Sequence, residues 1–452
     1  MDPYLIEGMD GVQLRVNSPR AEGVVLKFDQ AWEGAFCGYC TVIHDDGRYR
    51  LYYRGLPDAG ADGSPLEVTC YAESEDGINW IKPKLGLFQV RGSRDNNVIL
   101  AELAPFTHNF SPFLDAKPTA DPKHRFKAMG GVSKSGLKAF SSPDGIHWSA
   151  MSEGSAYRQE GWVFDSQNVS FWSESEKQYV LYYRSSVDGI RAIARAVSSD
   201  FIHWTKEGQM RYSDSKSTVP SQHLYTNQTR PYFRAEHIYI STAARFMPGR
   251  KVLTDEQARA VGVHPKYFND TSDSVLMTSR GGLDYDRTFL GALIKPGIGA
   301  ENWVSRSNYP ALGIVPTGKY EMSMYVNQDY GQPTSHLRRY SIRLDGLSCV
   351  AAPFAGGELL TRPFRMNGNQ LWLNFSTSAA GGVRVEIQDH DQKPLSGYRM
   401  EDSMELIGNE IRRLVQWKSN SETKSLKGKL IRLKFHLSDA ELFSFQFASP
   451  LP

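Results

Sequence analysis

The chain has 452 residues, long enough for two domains and a large core. Its 52 lysines and arginines nearly balance 50 aspartates and glutamates, a formal charge of +2, so no global field draws it to nucleic acid or an anionic membrane. No run approaches about 18 apolar residues, which excludes a predicted membrane-spanning helix. The first residues, MDPYLIEGMDGVQL, lack the basic-then-apolar order of a secretory signal, so a cytoplasmic or periplasmic location is expected of the sequence as given.

In chain order, the first punctuated segment is Trp32-Glu33-Gly34, followed by Cys37-Gly38-Tyr39-Cys40. The C-x-x-C spacing matches a redox motif, but such a motif should open a helix, and here it runs into the strand-like Cys40-Thr41-Val42-Ile43. Residues 40–55, CTVIHDDGRYRLYYRG, read as a hairpin: an apolar strand, a polar turn, then an aromatic strand ending in Arg54. The pattern returns at 109–131 around a Pro-rich loop, at 168–185 and at 229–246, and a fifth copy is expected from Tyr320 through Arg343-Leu344-Asp345-Gly346. A second motif follows the hairpins: Ser74-Glu75-Asp76-Gly77-Ile78-Asn79-Trp80, Ser142-Pro143-Asp144-Gly145-Ile146-His147-Trp148, and the looser Ser199 to Trp204. Asp and Gly make a tight turn and the Trp packs on the neighbouring sheet, a structural role. Asp255 to Val261 is the one short helix predicted.

Each unit gives about four strands over roughly 60 residues, and one such unit cannot bury its own faces. Radial packing of five units is the solution expected, a five-bladed β-propeller over residues 1–345 with its pocket at the axis. From about 346 to 452 the sequence alternates apolar and polar residues, as in LWLNFSTS, GVRVEIQD and LIRLKFHL, which predicts a β-sandwich. The fold class is all-β.

These hairpins, the S-x-D-G-x-x-W turns and the segments Trp32-Glu33-Gly34, Phe164-Asp165-Ser166-Gln167-Asn168 and Arg343-Leu344-Asp345-Gly346 resemble the five-bladed glycoside hydrolase superfamily of families 43, 32, 68 and 117, in an uncharacterised bacterial branch. The W-M-N-D-P-N-G and R-D-P signatures of family 32 are absent, which speaks against fructan or sucrose hydrolysis. The resemblance implies an oligo- or polysaccharide substrate, an exo-acting glycosidase and no cofactor. Two other readings stand beside it: a non-catalytic glycan-binding propeller, and a transglycosylase or lyase on the same scaffold.

Residues at the start of each inner strand should face the axial pocket. Glycoside hydrolysis needs two carboxyl groups, and the expected catalytic set is Glu33, Asp165 and Glu321. Tyr39, His108, Asn109, Gln167, Asn168, His223, Asn227 and Arg230 are the expected substrate contacts. Blade four carries Tyr225-Thr226-Asn227 where the resemblance calls for an acidic residue, which leaves the proton donor to Glu321, His108 or His223. Arg54, Arg184 and Arg245 end the second strands of three blades, a repetition that predicts a structural role. No EF-hand-like loop of oxygen ligands is present, so no metal is expected.

Overall fold

The computed structural model describes residues 2–418 and 422–448. Residues 419–421 and 449–452, which fall in the predicted second domain, lie outside the described residues. Two compact units result: Arg20–Ser341, and Met1–Pro19 together with Ile342–Pro452.

Arg20–Ser341 is a five-bladed propeller. Blade one is Gly38–Asp45, Arg48–Gly55, Val68–Ser74 and Val98–Leu100, in that order from the axis. Blades two and three begin with Ser111–Leu114 and Val169–Ser173 and are built the same way, and blade four begins with Thr229–Tyr232. The inner strands neighbour one another in a closed ring. Each is the edge strand of its own blade, which is why Pro112, Pro231, Pro310 and Pro316 are tolerated there, and Thr41 of blade one forms a parallel bridge to Leu312 of blade five.

Blade five corrects the predicted register. Its inner strand is the interrupted run Tyr309–Pro310 and Val315–Pro316, and Glu321–Gln328 is the second strand. The outermost strand is Arg20–Lys27, from the opposite end of the unit, paired with His336–Arg343. This closes the ring and leaves blade five without a free outer edge of its own sequence.

Apolar clusters lie between blades. Phe113, Phe171, Tyr179, Tyr182, Tyr239 and Met277 join blades two, three and four, and Val42, Leu51, Tyr325 and Leu337 join blades one and five. The predicted helix is present at Asp255–Ala260, where the Thr254 hydroxyl accepts from the Gln257 amide and the Gln257 side chain accepts from the Thr254 amide.

In the second unit, eight strands are hydrogen-bonded into one antiparallel sheet around the paired long strands Gln370–Asp389 and Leu430–Ala448. Ile6–Asp10 and Gln13–Val16 belong to this sheet, paired with Gly357–Thr361 and Ser348–Ala352. Its core includes Leu371, Phe375, Val385, Ile387, Trp417, Leu433 and Phe435.

The Asp-Gly turns repeat one bonding plan. The Asp76 carboxylate accepts from the amides of Ile78 and Asn79 and from Ser74, Asp144 accepts from Ile146, His147 and Ser142, and Asp200 accepts from Ile202, His203 and Ser198. Each Trp donates its indole N–H back into its own turn. Partial burial opposes ionisation of Asp144, and the donors of His147 and Ile146 overcome it, holding its carboxyl at about 2. Backbone donation by Asn79 holds Asp76 low in the same way. A carboxyl held low in the folded state contributes its full stabilisation above its unfolded value, near 4, and loses it as pH falls further. Melting temperature should therefore be flat from about pH 7 to 5 and fall between about pH 4 and 2. The fall should shrink in Asp144→Asn; an unchanged acid limb in that variant overturns the assignment.

Candidate functional site

The axis is locked by one polar contact from every blade. Gln167 Nε2 donates to Thr41 Oγ1 at 2.7 Å and Ser111 Oγ at 3.3 Å, and Gln228 Nε2 donates to Gln167 Oε1 at 2.7 Å and to the Pro310 carbonyl at 2.9 Å. All four side chains are buried. Gln167 is thus a structural tie across the axis and not a free substrate contact.

The mouth, where the inner strands begin, lies just above this tie. Tyr39, Tyr225 and Tyr309 pack together there with Phe246 and seal the axis. Tyr39, Asn109, Gln228 and Asn308 all hold left-handed backbone at the strand starts, with φ of 51°, 50°, 46° and 64°. Such conformations in non-glycine residues cost energy and cluster at functional surfaces.

Four arginines gather on these rings. The guanidinium carbons of Arg184, Arg191 and Arg306 lie 4.6, 5.1 and 5.4 Å from the centroid of Tyr225. Arg54 lies 4.7 Å from the centroid of Tyr39, and both Arg54 and Arg306 donate to the Tyr330 hydroxyl, at 3.0 and 3.4 Å. Arg184 and Arg191 also pack on the ring of Trp162, a residue 44% exposed. Arg54 and Arg184 are buried and hold the structural role expected from their repeat position: Arg54 donates to the Phe36 carbonyl at 2.9 Å and Arg184 to the Tyr225 carbonyl of the next blade at 3.2 Å, while Arg245 pairs with Asp273.

Two rim carboxylates meet this cluster. Asp165 takes a 3.3 Å hydrogen bond from Arg184 with its side chain 48% exposed, and Asp62 takes one of 2.7 Å from Arg54 with 38% exposed. Burial pushes the Asp62 carboxyl up, but the charges of Arg54, His108 and Arg306 hold it below its ordinary value. His223 is half-buried, and its Nδ1 accepts from the backbone and side chain of Arg191 at 3.3 Å. Burial, then Arg191 and Arg184, lower its pKa, so it is neutral near pH 7.

The other predicted residues are placed as follows. His108 is buried, with Nδ1 2.9 Å from Glu67 and Nε2 2.8 Å from Asn109 Nδ2. Asn168 is spent on the backbone of Phe164, Ser166 and Arg184, and Asn227 on the amide of Thr229. Both are corrected from substrate contacts to turn residues.

Three more corrections concern charge. Glu33 is fully buried behind blade one, where its carboxylate accepts from Tyr53 Oη at 2.6 Å, Lys82 Nζ at 2.7 Å and the Gln30 amide at 3.0 Å. Glu321 opens a second strand, so it sits at the end of the blade away from the mouth, in an ion pair with Arg339 at 3.0 Å. Arg230 lines a cavity of about 340 Å³ at that far end, among Ile43, Phe171, Tyr232 and Val315. Burial alone brings its pKa down to about 10. The predicted triad of Glu33, Asp165 and Glu321 therefore does not assemble, because the blade-five register was one strand out and Glu33 folds inward beneath Trp32.

Asp62, Glu67 and His108 place ligand atoms within 4.8 Å of one another, the one such group found among the described residues. In the structure both nitrogens of His108 and one oxygen of Asp62 are hydrogen-bonded within the protein. Cys37 and Cys40 are buried and free, and burial pushes both thiols up, which excludes the reactive thiolate a redox motif needs.

No family model and no curated protein matches the chain. Among solved structures it is similar to a protein solved as an RGII complex, with TM-score 0.49 and 9% identity, covering 73% of this chain and 92% of that one. It is also similar to an N-acetylgalactosamine deacetylase from F. plautii in complex with blood group B trisaccharide, with TM-score 0.47 and 13% identity, covering 74% and 96%. A third is a fructofuranosidase from Schwanniomyces occidentalis complexed with fructosylnystose, with TM-score 0.39 and 10% identity, covering 95% and 98%.

Proposed function

We propose that the chain is an exo-acting glycosidase whose site is the propeller mouth. The observation that carries this reading is the pairing of two partly exposed carboxylates, Asp62 and Asp165, with an exposed indole, Trp162, above a floor sealed by Tyr39, Tyr225 and Tyr309. A flat ring stacks on a sugar face, and a sealed floor stops a glycan chain from threading, so the sugar at a chain end fits it. Asp165 stabilises positive charge developing at the anomeric carbon. Asp62, kept ionised by Arg54, takes a proton from the attacking water and returns it to solvent, while the departing glycosidic oxygen takes its proton from water at the open rim.

Asp165→Asn and Asp62→Asn should each lower kcat by roughly 10²-fold or more on a responsive substrate while melting within a few degrees of the parent. A panel of p-nitrophenyl glycosides and plant, microbial and algal oligosaccharides finds that substrate. Activity that survives both substitutions removes the carboxylates from the mechanism.

A second reading, glycan binding without turnover, is favoured by one observation: each rim carboxylate is tied to a guanidinium, and blade four offers Tyr225, Thr226 and Asn227 at the mouth. Saturable binding of sugars that are never cleaved supports it.

A further inference from the structure

The charge count at the mouth does not close. Arg184, Arg191 and Arg306 share the ring of Tyr225 and Arg54 lies on Tyr39, and two carboxylates are bonded to these four cations: Asp165 to Arg184, and Asp62 to Arg54, with the charge of Arg306 also acting on Asp62. Arg191 has His223 and three aromatic rings as partners, and Arg306 has Tyr330 and the rings of Tyr225 and Tyr267. Neither forms an ion pair among the described residues. Like charges gathered this way repel, and burial followed by the charge of Arg184 lowers the pKa of Arg191. Unused donors line the same place: the hydroxyl of Tyr309, 6% exposed, and the Nε atoms of Arg54, Arg184 and Arg191 are buried without a partner. Buried donors are seldom left unmade in a resting fold, and unpaired cations are retained where a ligand supplies the counter-charge.

Resting on the glycan-processing reading of this mouth, we propose that the sugar it takes is anionic, bearing a carboxylate or a sulfate ester seated between Arg191 and Arg306 with the ring against Trp162. Guanidinium forks match the paired oxygens of either group, and the surrounding aromatic rings keep water from screening the contact. Neutral hexoses would leave two guanidiniums without a counter-charge, which is the larger part of the discrimination.

Titration calorimetry of the full chain with galacturonic acid, glucuronic acid, a sulfated galactose and neutral galactose tests this, and the first two against the third tell carboxylate from sulfate. At least one anionic sugar should bind tenfold or more tightly than galactose, and its affinity should fall as salt rises from about 0.05 to 0.5 M. Arg306→Gln should weaken that binding at least tenfold and flatten its salt dependence; a purely structural arginine would lower the melting temperature and leave the preference for anions and its salt dependence intact. Arg191→Gln serves where Arg306→Gln fails to fold. Equal affinity for galactose, or no salt dependence, overturns the proposal. Anionic sugars that bind but are released uncleaved from every glycoside tried leave this inference standing and remove the hydrolytic one; turnover confined to neutral glycosides does the reverse.

Discussion

Glu33→Ala is expected to destabilise the propeller by about 3–5 kcal/mol, the cost of stripping one partner from a buried ion pair. The carboxylate is fully buried and serves three donors at once: the Tyr53 hydroxyl, the Lys82 ammonium and the Gln30 amide. Lys82 is itself only 17% exposed, so the alanine variant leaves a nearly buried cation with no equal partner, since its other carboxylate, Asp29, is largely in solvent. The readout is the urea midpoint of the purified chain. Adding Lys82→Met should recover a large share of the loss, because a hydrophobic pair can replace a buried ionic one at little net cost. A Glu33→Ala midpoint within about 1 kcal/mol of the parent returns Glu33 to the list of functional candidates.

The second large effect is expected at the axis. Gln167→Leu has nearly the volume of the parent side chain but neither its donor nor its acceptor. It strands the Gln228 amide N–H, the Thr41 hydroxyl and the Ser111 hydroxyl in a space closed to water. An unsatisfied buried group costs about 1–3 kcal/mol, so a loss near 3 kcal/mol is expected even with partial relaxation. The loss should exceed that of Asn168→Ala, since the bonds of Asn168 stay within blade three and Gln167 ties blades one, two, three and four. Near-equal stabilities for the parent and Gln167→Leu would show that blade packing alone fixes the axis.

Much of this fold is legible in the sequence because its hairpins are local. The Asp-Asp-Gly turn of blade one and the Glu-Lys turn of blade three, each between aromatic strands, announce their hairpins within 20 residues of chain, and strand pairing follows that spacing. Blade five hides its inner strand because Pro310, Gly313 and Pro316 break the run into two-residue pairs, and the eye passes to the more regular Glu321–Gln328. That single slip carried Glu321 to the wrong end of the blade. Register alone did place Tyr39, His108, Asn109, Asp165 and His223 around the mouth. Gln167, Asn168 and Asn227 start their strands as expected, but short amide side chains beside a tight turn bond the backbone or each other first. Asp62, Trp162 and Arg306 were missed because they ride on loops, where no period reports which way a side chain turns. Arg54 and Arg184 are visible as a repeat and do brace the fold, and because the same position in each blade is the same distance from the axis, they also meet the rim carboxylates.

The strand Arg20–Lys27 finds its place on blade five only through residues that follow four complete blades, and Arg338 donates to the Glu22 carbonyl across 316 positions of sequence. On the ribosome, blades one to four can therefore gather as they emerge while this early strand waits, exposed, until His336–Arg343 is made. Loop closure of that length is slow. Anything that pairs with the waiting strand meanwhile, a second nascent chain above all, competes with ring closure and exchanges the strand between molecules.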